Sequence, residues 1–281
     1  MMNDPFEIDT PAYISFSGGR TSGYMLRRVL DANGGMLPPD VHVVFANTGC
    51  EMPATLDFVR DVATQWNIPI AWVEYRLNQA DEPTYAAVDY ASASREGEPF
   101  ALYLDHVERV TAAKGEKPYL PGPGNRFCTT ELKIRVMKKW MMDRGFEHWT
   151  SIVGIRYDEP ARWRKVDRTV PRERWELDFP LVDAKVTVRD VRAFWRVQDF
   201  DLGIKGDYEG NCDACHLKRP WKVAQIFKDH PERAEFWAER ERRSGKLFRP
   251  RGPSIPQLVA LSRLPIVRDK QLEIQCVGCT D

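Results

Sequence analysis

Residues 12–14, Ala-Tyr-Ile, form a short apolar run that breaks at Ser15-Phe-Ser-Gly-Gly-Arg-Thr-Ser22. The pattern resumes with Tyr24, Met25, Val29 and Leu30 at helical spacing, ending at Asn33-Gly34-Gly35. A continuous run, a glycine turn and then a 3.6-residue period predict a strand, a tight turn and a helix over 22–30. The unit repeats: Val41-His-Val-Val-Phe45 leads into Ala46-Asn47-Thr48-Gly49, residues 53–66 read as a helix, and 68–75 as a third strand. Residues 76–125 mix proline, glycine and charge with short helical pieces such as 101–113, and predict an inserted helical segment or flap. A basic helix follows over 128–144 with Lys133, Arg135, Lys138 and Lys139. A strand over 149–155 then runs into Gly154-Ile155-Arg156-Tyr157-Asp158-Glu159, and Thr187-x-x-Asp190 reads as an acidic capping box before a helix at 188–197.

Strands alternating with helices at these distances predict right-handed βαβ units. The expected class is α/β: a Rossmann-like parallel sheet with helices on both faces, spanning 1–205. Ligands of such sheets bind beyond the strands' carboxyl ends, where Ser17-Gly18-Gly19 and Asn47-Thr48-Gly49 both fall. From about residue 206 the character changes, and 206–281 reads as a basic, helical, cysteine-rich C-terminal part. Neither an internal repeat nor a low-complexity tract interrupts this order.

Charge modifies that picture locally. The 281 residues carry equal numbers of acids and bases, yet residues 216–251 hold eleven Lys or Arg against five acids. Two readings fit that excess: a solvated helical surface with i,i+4 pairs such as Glu239 with Arg243, or an anion-binding face. No apolar run approaches a membrane span, and the first residues lack the basic and apolar regions of a signal peptide. A cytoplasmic protein without membrane partners is expected. In a reducing compartment, six clustered cysteines point to metal or redox chemistry rather than to disulfides.

The glycine turn is the first candidate site. Its backbone can bring N–H groups against a phosphate, with Ser17, Thr21 and Ser22 adding hydroxyls and the helix dipole favouring the anion. The competing reading is simple punctuation between strand and helix. The five histidines share no metal-ligand spacing, and only His216, beside Cys215, draws notice. Trp140, Trp149, Trp195 and Trp237 sit within apolar periodicities and read as core, and Cys50 reads as a pocket-wall residue.

Four ordered motifs carry a resemblance: Ser17-Gly18-Gly19-Arg20-Thr21-Ser22, Asn47-Thr48-Gly49, Cys128-Thr-Thr-Glu-Leu-Lys133 and Gly154-Ile155-Arg156-x-Asp158-Glu159. Over roughly residues 12 to 220 the chain resembles the phosphoadenosine phosphosulfate (PAPS) reductase family of the PP-loop, or adenine nucleotide alpha-hydrolase-like, superfamily. The resemblance implies an adenine nucleotide, ATP or a sulfonucleotide (PAPS or its 3′-unphosphorylated relative APS), across the strand ends. Ser17, Gly18, Gly19, Arg20, Thr21, Ser22, Asn47, Thr48 and Gly49 would bind it, with Lys133 and Arg156 as its charge partners. ATP-using members carry an acid where this chain has Thr21, an acid suited to orienting Mg²⁺, so a Mg²⁺ ion is the least supported of the implied cofactors. The reductases' C-terminal Glu-Cys-Gly-x-His is replaced here by Glu273-Ile-Gln-Cys276-Val-Gly-Cys279.

Iron–sulfur members of the family carry a Cys-Cys pair where this chain has Phe127-Cys128, and a Cys-x-x-Cys where it has Cys212-Asp-Ala-Cys215. The resemblance therefore implies a [4Fe–4S] cluster on Cys128, Cys212, Cys215 and Cys279, with Cys276 as reserve ligand or as the nucleophilic or persulfide-bearing thiol. A zinc site on Cys212, Cys215, Cys276 and Cys279 is the competing metal reading. The leading expectation for function is ATP-dependent adenylation and sulfur transfer to a nucleic-acid base or small acceptor. The alternatives are a sulfonucleotide reductase served by a thioredoxin-like reductant, and a non-catalytic, zinc-stapled nucleotide-binding module.

Overall fold

The computed structural model describes residues 4–8, 11–166, 173–210 and 212–266. Six strands form one sheet: β1 (Ala12–Ser15), β2 (Val41–Asn47), β3 (Ile70–Leu77), β4 (Pro83–Val88), β5 (Trp149–Val153) and β6 (Trp175–Asp178). Their spatial order is β4-β3-β2-β1-β5-β6, all neighbours parallel except β3 and β4. The helices are α1 (Arg20–Ala32), α2 (Pro53–Gln65), α3 (Glu98–Ala113), α4 (Phe127–Thr129), α5 (Arg135–Met142), α6 (Pro160–Trp163), α7 (Pro180–Asp183), α8 (Val188–Trp195), α9 (Pro220–Asp229), α10 (Arg233–Ser244) and α11 (Ile255–Ser262). A π turn over Thr130–Ile134 joins α4 to α5.

Strand residues alternate between two buried cores, as the pleat requires. Ala12, Ile14, Val43, Phe45 and Trp72 meet α1, α2 and α8 through side chains such as Leu26, Val59 and Trp195. Tyr13, Val44, Ala46, Val73 and Tyr75 meet α3, α5, α9, α10 and α11 through Leu104, Met137, Phe227, Trp237 and Leu258. Burying each of these large side chains is worth roughly 2 kcal/mol. The sheet is thus covered on both faces, and the helices beyond residue 206 complete the second cover. The expected α/β class and the order β1-α1-β2-α2-β3 hold.

Three expectations change. Residues 76–125 contribute α3 but also β4, an antiparallel edge strand, so the sheet is mostly rather than wholly parallel. β4 begins at a proline and remains half exposed, a combination that a sheet tolerates at its edge. β6 at the opposite edge shares its mixed polarity and was not signalled by periodicity. The single helix over 128–144 is interrupted by the π turn that carries Lys133, and such widened turns recur at functional positions.

Candidate site at the strand carboxyl ends

The chain runs outward from β1 through β2 and β3 to β4 and then returns to add β5 on the other side of β1, so the β1/β5 boundary is the switch point where open α/β sheets form a crevice. The loops after β1 and β5 start there. In the first, Gly18 adopts φ +75°, and a Cβ on it would lie 2.6 Å from Thr55 Cγ2, so the turn needs glycine twice over. Ser22 Oγ accepts from Ser17 N–H at 3.2 Å, contacts Ser17 Oγ at 2.9 Å and donates to Gly19 O at 3.0 Å, which folds the loop back over the first turn of α1. The second loop comes close to this turn: a Cβ on Gly154 would lie 3.3 Å from Ser22 Cα.

Arg156 bridges the two loops. Only 6 % exposed, it donates from Nη1 to Thr21 Oγ1 at 2.9 Å and from Nε to Asp158 Oδ1 at 3.0 Å. Glu159 Oε2 accepts from the Arg156 backbone N–H at 2.8 Å, and Glu159 Oε1 accepts from Arg162 Nη1 at 2.6 Å. The buried guanidinium is thereby neutralised locally, as a charge in low dielectric must be. Arg20 points elsewhere, gripping Asp201 with Nε and Nη2 at 2.7 and 2.8 Å. Of the loop's residues it is the one whose side chain is committed outside the crevice, fastening α1 to the chain after α8.

A small cavity of about 90 Å³ opens at the ends of β1, β2, β5 and β6, bordered by Ser17, Ala46, Val153, Thr129 and Lys133. That enclosed space is less than the roughly 300 Å³ of a ligand-sized pocket, so it suits a phosphate or one edge of a ring. Tyr13 also lines it; burial pushes its phenol up to about 12 against an opposing hydrogen bond with Ser151, so it stays protonated. Lys133 continues into a second small cavity with Thr48, Arg126, Cys128, Cys212, Cys215 and His216. Lys133 and Thr129 therefore border both the strand ends and the cysteine cavity.

Glu51 organises this junction. Buried to 3 % exposure, it accepts from Lys133 Nζ at 3.3 Å through Oε1, and from Thr48 N–H and Oγ1 at 2.9 and 2.8 Å through Oε2. Cys212 Sγ lies 3.9 Å from Glu51 Oε1 and 3.7 Å from Thr48 Oγ1. Asn47 plays a framework part: its Nδ2 donates to Glu74 Oε1 at 2.6 Å and to Ser94 O at 2.8 Å, while Oδ1 accepts from Gly49 N–H at 3.1 Å. These bonds lock the end of β2 to β3. Glu51 and His216 were not predicted as site residues; an isolated acid two residues after Gly49 has no periodicity to reveal it.

The loop with Cys212 and Cys215 is held by the residue after Cys212. Asp213 accepts from Arg233 Nη1 at 2.9 Å and from Trp237 Nε1 at 2.8 Å, and its backbone N–H donates to Cys50 O at 3.0 Å. Burial pushes the Asp213 carboxyl up, opposed by the Arg233 charge. Cys50 lies in the core rather than on a pocket wall, its thiol raised well above the ordinary range first by burial and then by Asp213, Cys212 and Glu51. Cys128, Cys212 and Cys215 do share a cavity wall. Yet among the described residues no three His, Cys, Asp or Glu side chains are arranged to hold a metal ion, so the expected cluster has no complete donor group there. Cys276 and Cys279 lie outside the described residues.

The basic segment divides between the two readings offered for it. Arg233 and Arg240 pair with Asp213 and Asp105, Arg242 with Glu239, and Arg243 with Asp105 and Glu108 rather than with Glu239. Lys218, Arg219, Arg249 and Arg251 instead line a third cavity. Among the described residues no helix is long and apolar enough to cross a membrane.

Fold and site together define a mixed α/β protein whose switch-point crevice adjoins a cysteine-lined cavity. The chain belongs to the family of the uncharacterized nin region protein ORF290 of Escherichia phage lambda, to which it is 32% identical over 219 residues, 77% of this chain and 69% of that protein. No family model matches the chain. Among solved structures, the phosphate complex of a phosphoadenylyl-sulfate (PAPS) reductase from Candida auris is similar at a TM-score of 0.38 and 16% identity, covering 66% of this chain and 71% of that one. A likeness that low carries no inference about this chain.

Proposed function

We propose that the protein is a nucleotide-dependent sulfur-transfer enzyme, with an adenine nucleotide at the switch-point crevice and the chemistry of sulfur at the adjoining cysteines. The observation that carries this reading is the position of Lys133, which lines both cavities and is held by Glu51, a carboxylate within reach of Cys212. An oxygen of the acceptor attacks the α-phosphorus of ATP and pyrophosphate leaves, its developing charge met by Lys133 and the first turn of α1. A sulfur at the sulfide level then attacks the activated carbon, and AMP departs with the oxygen. Arg156 positions Thr21 in this scheme; with Cys276 as persulfide carrier in place of free sulfide, its outer sulfur displaces AMP, and a dithiol then cleaves the mixed disulfide, becoming a disulfide as the sulfur stays on the acceptor.

Anaerobically purified protein given α-labelled ATP, sulfide and a nucleic-acid acceptor is expected to release AMP and pyrophosphate, and Lys133→Ala to slow that release by about a hundredfold. Absence of both products with ATP overturns the reading. A second reading is favoured by the contact of Thr21 with Arg156, which leaves no carboxylate at that position for a Mg²⁺ ion. In it a thiolate attacks the sulfur of PAPS or APS, the adenosine phosphate leaves, and a thioredoxin-like dithiol reduces the S-sulfocysteine, becoming a disulfide as sulfite departs. Sulfite from a sulfonucleotide, with no pyrophosphate from ATP, selects it.

Cys128, Cys212 and Cys215 line one cavity without being arranged to hold a metal ion there, and a [4Fe–4S] cluster on them would need them to close together and Cys279 to add the fourth thiolate. About four irons per chain, lost in Cys212→Ser, is the expected metal content; one zinc per chain selects the zinc site instead.

A further inference from the structure

A further cavity lies away from the switch point. About 1020 Å³ in volume and open to solvent, it is bordered by the loop after Cys215, the start of α9, the turn before α11 and the segment after α11. That volume stands at the upper end of small-molecule sites. Its walls combine two chemistries. Lys218, Arg219, Arg249 and Arg251 are cationic, no acidic residue lines it among the described residues, and Trp221, Leu261 and Leu264 supply flat apolar surface. The N-terminus of α9 opens on it as well, with no acidic residue in its first turn and no side-chain cap.

Arg249 is the residue that points most directly to an anionic ligand. It is 6 % exposed and donates from Nη2 to the carbonyls of Cys215 and Lys218 at 2.6 and 3.2 Å, yet its Nη1 is buried without a hydrogen-bond partner. Its hydrogen bonds go to neutral carbonyls, and an anionic ligand would satisfy the remaining buried N–H. His216, buried with Nε2 likewise unpartnered, lines this cavity and also the cysteine cavity, as does Leu217. The two spaces adjoin.

We infer that this cavity binds a nucleotide unit of the acceptor, its phosphate among Arg249, Arg251 and Lys218 and its base against Trp221, so that the flanking end of the ligand reaches the cysteines past His216. Charge complementarity and a flat apolar wall together select this ligand: phosphates meet the cations, and bases stack on aromatic faces whatever their sequence. The acceptor role rests on the sulfur-transfer reading, whereas binding itself does not. Neighbouring cavities share residues, Lys133 and Thr129 between the first and second and His216 and Leu217 between the second and third.

Oligothymidylate ten nucleotides long and thymidine monophosphate carry no adenine and so probe this cavity separately from the switch-point crevice. Titration of the full chain is expected to quench tryptophan fluorescence and to weaken as salt rises. Lys218→Glu with Arg251→Glu, both outside the buried core, is expected to weaken binding at least about tenfold while ATP binding, measured in parallel, stays unchanged. Binding of the oligonucleotide alone assigns a polynucleotide acceptor, and equal binding of the monophosphate assigns a free nucleotide; either supports the inference. No binding of either probe overturns it, as does binding that survives the double charge reversal. Binding that appears only when the chain ends at Ile266 makes the remaining residues the occupant and likewise overturns it. A protein that fails to bind ATP but binds oligothymidylate removes the sulfur-transfer reading and leaves this one standing.

Discussion

Gly18 shows how much a single position decides in the crevice. A side chain there meets both a left-handed backbone angle and Thr55 Cγ2 at 2.6 Å, so Gly18→Ala is expected to cost about 2 kcal/mol in a urea melt and to displace the loop from the nucleotide. A loss below a few tenths would show that the turn relaxes freely. The glycine pair was legible as a turn signal, although only Gly18 takes a left-handed angle while Gly19 is extended at the start of α1, and the hydroxyls of Thr21 and Ser22 were legible beside it. What those hydroxyls touch was not: Ser22 closes the loop on Ser17, and Thr21 is taken by Arg156 from 135 positions away. Arg20, a natural candidate for a phosphate by charge alone, is committed to Asp201.

At the scale of elements, the clearest signals were local. Thr187 N–H and Oγ1 both donate to Asp190 Oδ2, at 2.8 and 2.6 Å, closing the capping box that the spacing predicts at the start of α8. Edge strands gave weak signals because their exposed positions interrupt the continuous apolar runs that mark β1 to β3. The attachment of α10 depends on charge rather than on periodicity: Arg233 and Trp237 converge on Asp213 between the paired cysteines. Arg233→Ala leaves that carboxylate buried without its cation and is expected to destabilise the chain by about 3 kcal/mol in chemical denaturation. It also frees the Cys212–Cys215 loop, so thiol labelling there is expected to accelerate; a variant with unchanged stability and labelling would show that α10 is held by its apolar face alone.

For the whole molecule, the second face of the sheet determines what can stand alone. Val44, Val73, Tyr75 and Met137 share one core with Phe227, Trp237, Phe248 and Leu258. A fragment of residues 1–205 exposes that face and is expected to aggregate or to lack a cooperative thermal transition, as calorimetry would show. A soluble, cooperatively melting fragment would make the C-terminal helices an appendage instead of a layer.

The sequence by itself determined the class of fold, the strand–turn–helix units of the first 75 residues and the grouping of serine, glycine, arginine and cysteine motifs, because periodicity, capping and glycine turns are local rules. Only the tertiary structure decided which of those motifs meet. Lys133 reaches both the strand ends and the cysteines because α4, the π turn and α5 cross the carboxyl edge of the sheet, and Glu51 holds it there. The division of the basic segment into paired surface arginines and a cationic cavity was equally beyond reach of charge counting, since partners such as Asp105 and Arg240 lie 135 residues apart. Contacts over such distances depend on how the layers pack, which no local pattern encodes.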